Sequence, residues 1–113
     1  MELSPLSVHE PAGTCVTFKC SYKSNERLHI EFEALSMVRM NENNRRMMSR
    51  REVLEDIMHR YIWGDTRHLT LVIQPDHGLV NCNLRNSQGF IVGQLTAVIH
   101  AGQLLDVYIL ICL

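Results

Sequence analysis

Ser49-Arg-Arg-Glu-Val-Leu-Glu-Asp-Ile-Met-His-Arg-Tyr-Ile-Trp-Gly64, near the middle of the chain, carries the strongest helical pattern. Ser49 followed three residues later by Glu52 has the form of a capping box, in which each side chain bonds a backbone N–H that a first helical turn leaves unpaired. Val53, Leu54, Ile57, Met58, Tyr61 and Ile62 then recur at the spacing of one apolar helix face. Glu52, Glu55, Asp56, His59 and Arg60 fill the other side, and Gly64 suits the left-handed residue that closes a helix. The spacing predicts one amphipathic helix over 49–63, with a sheet to receive its stripe.

The flanking segments alternate as strands do. Val16, Phe18, Cys20 and Tyr22 face one way, with Thr17, Lys19 and Ser21 between them. Ile30, Phe32 and Ala34 alternate with His29, Glu31 and Glu33 until the pattern breaks at Leu35, the mark of a bulge. Downstream, strands are expected over 69–73, 79–85, 90–100 and 104–113. They are separated by the turns Gln74-Pro-Asp-His-Gly78, Asn86-Ser-Gln-Gly89 and Ala101-Gly102-Gln103. Residues 1–14, interrupted by Pro5, Pro11 and Gly13, read as a lead-in, and Arg39–Met48 as a polar, exposed loop. The expected fold class is α+β: a curled antiparallel sheet of about six strands with one helix, in the order β-β-α-β-β-β-β.

A chain of 113 residues fits one domain, 1–113. With 46% apolar and 20% charged residues the composition is that of a globular protein, and a net charge of −1 argues against a generic polyanion binder. Nucleic acid is therefore not an expected partner. No apolar run approaches the roughly 20 residues that span a bilayer. The opening Met1-Glu-Leu-Ser-Pro5 lacks a basic segment followed by an apolar core, so a cytoplasmic protein without a membrane anchor is expected. The last segment, 104–113, is apolar on both faces and wants cover on both, which points to a homodimer or a stable partner contact there.

The four cysteines, Cys15, Cys20, Cys82 and Cys112, occupy apolar positions in strand-like segments without a Cys-x-x-Cys pair. In a chain with no export signal, buried reduced thiols are the plain reading. Neither they nor the six histidines show the ligand spacing of a zinc finger or ribbon, so no metal and no cofactor is expected.

Part of the sequence resembles an intermediate-type immunoglobulin domain. Gly13, Val16, Phe18 and Cys20 match that family's Gly-x-x-Val-x-Leu-x-Cys strand. Asp76, Gly78, Cys82, Leu84, Asn86 and Gly89 are similar to its Asp-x-Gly-x-Tyr-x-Cys run and the hairpin after it. The resemblance implies an immunoglobulin-like β-sandwich, with Cys20 and Cys82 bridged across two sheets and Phe32 in the place of the core tryptophan. It also implies an adhesion or recognition module. Val80 stands where the family has a corner tyrosine, and the family has no place for a helix over 49–63.

The candidate site is a cluster of arginines. Arg45, Arg46, Arg50 and Arg51 surround Met47 and Met48 at the expected helix start. Guanidinium forks fit carboxylates, and methionine adapts to varied surfaces. The expected function is a non-enzymatic protein-binding protein, of inhibitor, immunity, adaptor or regulatory type, that meets an acidic protein partner through this loop and helix start. Catalysis has little to stand on. Asp76, His77, His68 and Asp65 lie near one another in sequence, but nothing fixes them around a substrate, and Asp76-His-Gly78 reads as a turn. There is no phosphate-binding glycine loop and no nucleophile elbow.

Overall fold

The structure, a computed structural model, describes the backbone of residues 1–40, 45–54, 58–61 and 64–102, and the side chains of 1–36 and 66–102. Among the described residues nine strands follow one another: β1 (Glu2–Ser4), β2 (Ser7–Pro11), β3 (Cys15–Lys23), β4 (His29–Met40), β5 (Arg45–Leu54), β6 (Met58–Tyr61), β7 (Gly64–Val72), β8 (His77–Arg85) and β9 (Ile91–Gly102). They build a four-stranded sheet in the order β1-β3-β7-β6 and a five-stranded sheet in the order β2-β9-β8-β4-β5.

The core forms where the alternating strands of the two sheets present their apolar faces to each other. Phe18 and Cys20 of β3 meet Ile30 and Phe32 of β4 and Val80 and Cys82 of β8, all of them 1% exposed or less. Leu3 of β1, Val8 of β2, Leu69 of β7, Leu84 of β8 and Ala97 and Ile99 of β9 complete it. Cys20 and Cys82, expected as reduced thiols or as a bridge, form a disulfide with 6.5 Å between their Cα atoms. Because β3 and β8 belong to different sheets, this bond ties the sandwich through its middle. Phe32 lies beside Cys82 in the β4–β8 register. Cys15 is disulfide-bonded as well.

The expected α+β fold is overturned: among the described residues there is no helix. Arg45–Leu54 is strand and pairs with β4 from Met40↔Arg45 to Phe32↔Leu54, while Met58–Tyr61 pairs with β7. Of the apolar residues read as one helical face, Val53 and Leu54 belong to β5 and Met58 and Tyr61 to β6, strands of different sheets. Helix propensity is a weak local preference, and the twelve-residue β4 offers a ladder of backbone donors and acceptors that outweighs it. Ser49, read as a helix cap, is the residue that the ladder skips: Met37 pairs with Met48 and the adjoining Ser36 with Arg50. It is a bulge position. The expected polar loop over 39–48 is likewise shortened by both strands. Residues 41–44, 55–57 and 62–63 lie outside the described residues, and so does the segment 104–113 to which a homodimer contact was assigned.

Two further corrections follow from topology. The lead-in over 1–14 contains two strands, each at the edge of a different sheet. The β2–β9 pair is parallel, where only antiparallel neighbours were expected. The broken alternation near Leu35 does mark an irregularity, since the β4–β8 register shifts between Leu35 and Ser36.

Candidate recognition surface

The turn between β8 and β9 is built around Asn86. Its backbone N–H donates to the Phe90 carbonyl at 2.9 Å, and its side-chain oxygen accepts from the N–H groups of Gln88 and Phe90, both at 3.0 Å. Gly89 donates back to the Asn86 carbonyl and holds a φ of 86°, a left-handed conformation that glycine adopts at little cost. From below, the Nη1 of Arg85 donates to the Gly89 carbonyl at 2.7 Å. A five-residue connection is thus fixed by its own polar groups.

What this rigid turn presents is apolar. Phe90 is 65% exposed, Ile91 43% and Val92 54%. Strand alternation alone would turn one of Ile91 and Val92 inward. The register explains why neither goes: Gly93 pairs with Leu84 and Ile91 with the adjoining Arg85, so Val92 is an extra residue in β9. A bulge of this kind re-aims side chains next to it. Gly93 sits close below, where an added Cβ would come within 3.2 Å of the Met1 sulfur.

Behind the hairpin, the outer face of the five-stranded sheet carries a transverse polar network. Arg85 grips Glu31 with both Nε and Nη2 at 3.2 Å. Asn83, fully buried, donates to Glu31 and accepts from Gln94 at 2.7 Å. One step along, Asn81 donates to Glu33 at 2.9 Å and accepts from Thr96 at 2.7 Å. Burial pushes the Glu31 carboxyl up and Glu33 adds to this, but the bonds from Arg85 and Asn83 together with the Arg85 charge outweigh both. They hold it below its ordinary range. The network joins β4, β8 and β9 on the side away from the core and so steadies the base of the hairpin.

The residues singled out in the sequence fall elsewhere. Arg45, Arg46, Met47, Met48, Arg50 and Arg51 all lie on β5, the outermost strand of the five-stranded sheet. Arg45 pairs with Met40 at the far end of β4, whereas β8 enters the hairpin beside His29 at the near end. The arginine-bearing edge and the apolar turn are therefore two separate surfaces. His77 is buried, and its Nδ1 accepts from the Gln74 N–H at 3.0 Å, which closes the Gln74–His77 turn. Among the described residues no three His, Cys, Asp or Glu side chains gather as a metal-holding group. Among the same residues no helix is long and apolar enough to cross a membrane.

Sequence reasoning missed the Phe90–Val92 surface because Phe90 was read as the first residue of a regular strand. The available signal was three apolar residues in succession straight after a turn glycine, which period-two alternation does not produce.

The architecture thus defines a class, a disulfide-tied sandwich of two sheets with a rigid apolar hairpin at one end. No protein-family model matches the chain, and no curated protein matches it.

Proposed function

We propose that this chain is a non-enzymatic protein-recognition module of immunoglobulin-like build that engages a protein partner through the β8–β9 hairpin. The observation that carries this reading is the exposure of Phe90, Ile91 and Val92 on a turn held by Asn86 and Arg85. Large apolar side chains on a rigid support lose little entropy on binding, and aromatic anchors of this kind dominate interface energies. The immunoglobulin-like reading is supported by the two sheet orders, by the cross-sheet disulfide, and by Phe32 packed beside it. The disulfides of Cys20, Cys82 and Cys15 favour an oxidising compartment over the cytoplasm.

A photo-crosslinking amino acid in place of Phe90 tests the reading, with the same group at the exposed Lys19 on the other sheet as control. A discrete adduct is expected from position 90 only. Phe90→Ala should then weaken binding of that partner by more than tenfold with the fold intact. Equal adducts from both positions, or unchanged affinity, would remove the hairpin as the contact.

A second contact is proposed for the arginine edge. An outermost strand offers unpaired backbone groups to an added strand, and Arg45, Arg46, Arg50 and Arg51 suit an acidic one.

A further inference from the structure

At the opposite edge of the five-stranded sheet, β2 runs parallel to β9 and the register sets His9 beside His100. Both side chains are exposed. Their imidazole rings are stacked, with centroids 4.3 Å apart and planes 11° from parallel. The Oγ of Ser7 lies 3.3 Å from the Nε2 of His9. Neither ring belongs to the core, to the polar network or to the hairpin. Two exposed imidazoles held side by side by a backbone ladder are a feature that the recognition reading leaves unused.

We propose that His9 and His100 form a two-histidine site for a divalent transition-metal ion of the zinc class. Neutral imidazole nitrogen is a preferred ligand for zinc, copper and nickel. A Zn–N bond of about 2.0–2.1 Å in tetrahedral geometry needs two nitrogens roughly 3.3 Å apart. The ring centroids lie 4.3 Å apart, so the two imidazoles start within side-chain reach of that separation. In the stacked arrangement the in-plane lone pairs of the two rings lie in nearly parallel planes. Turning each ring about its Cβ–Cγ bond, a broad and soft torsion, makes them converge. Water fills the remaining positions of the ion. Thiolates, the main competing ligands, are removed at Cys15, Cys20 and Cys82 by disulfide formation. The ion links β2 to β9, so it binds the folded chain and stabilises it by mass action.

The test uses Zn²⁺ alone, titrated calorimetrically into the full chain at pH 7.5. Mg²⁺, which prefers oxygen ligands, is the control. One Zn²⁺ per chain is expected, with a saturable rise in Tm and no response to Mg²⁺. His9→Gln and His100→Gln should each lose at least tenfold in affinity and lose the Tm rise, while His29→Gln keeps both. Melting without metal confirms that the variants fold. In the unaltered chain, paramagnetic Ni²⁺ should broaden the His9 and His100 proton signals before those of His29 or His68. Zinc binding that survives in both variants overturns the site, and so does the absence of any heat and Tm shift at millimolar Zn²⁺.

Discussion

Arg85 of β8 reaches diagonally to Glu31 of β4 in a two-pronged pair, Nε to Oε2 and Nη2 to Oε1, each at 3.2 Å. The third nitrogen of the same guanidinium reaches the hairpin at the Gly89 carbonyl. One side chain therefore ties the sheet face to the turn that carries Phe90. Planar forks of this kind add directional precision to charge attraction.

The pair makes stability depend on acid. Because folding lowers the Glu31 pKa, the carboxylate contributes stability above its ordinary value of 4.5, and that contribution is lost as pH falls from there through the lowered one. Urea unfolding between pH 7 and pH 3 should show the slope, and Glu31→Gln should flatten it. Arg85→Ala leaves a partly buried carboxylate without its cation and should cost about 1–3 kcal/mol at pH 7. An equal pH slope in wild type and Glu31→Gln would show that other carboxylates carry the acid response.

The Cys20–Cys82 bond closes a loop of sequence separation 62, which in the chain-entropy view contributes about 4 kcal/mol by restricting the unfolded chain. For a domain whose whole stability is about 5–15 kcal/mol, that is a large share. The Cys20→Ala, Cys82→Ala double variant should lose about 2–5 kcal/mol in denaturant titration. Thiol titration of the unreduced, denatured wild type should find no reactive sulfur at Cys15, Cys20 or Cys82. A labelled peptide containing any of them would contradict the bonding described.

The arginines of β5 separate two roles. As guards, charges on an outermost strand discourage edge-to-edge association. As a contact, they capture an acidic segment. Replacing Arg45, Arg46, Arg50 and Arg51 with glutamate keeps an edge charged and reverses its sign. That variant should stay monodisperse in size-exclusion chromatography and lose partner capture. Replacing all four with threonine should raise self-association. Unaltered capture by the glutamate variant would eliminate the contact role, and a monodisperse threonine variant would eliminate the guard.

Legibility in the sequence followed how local each signal was. β3 and β8 were readable because Val16, Phe18, Cys20 and Val80, Cys82, Leu84 alternate cleanly and pack on one face each. The Asn86–Gly89 turn was readable because the chemistry of asparagine and glycine specifies it. The helix expected over 49–63 fails in its described residues because Val53 and Leu54 answer to β4 while Met58 and Tyr61 answer to β7. A window along the chain cannot see that change of partner. The same holds for the candidate surfaces. Arg45–Arg51 could be found as a charge cluster, but the exposure of Ile91 and Val92 depends on a register slip against Arg85. The His9–His100 pair depends on a parallel partner supplied by topology alone.

The first strands have a consequence of their own. Leu3 enters the core from the edge of one sheet and Val8 from the edge of the other, only a few residues apart. This short ribbon works as a clasp across the lip of the sandwich. Should it come undone, the amides of β3 and β9 that it shields become open to exchange in a single event, so deuterium uptake at the edges of the two sheets should keep a common clock.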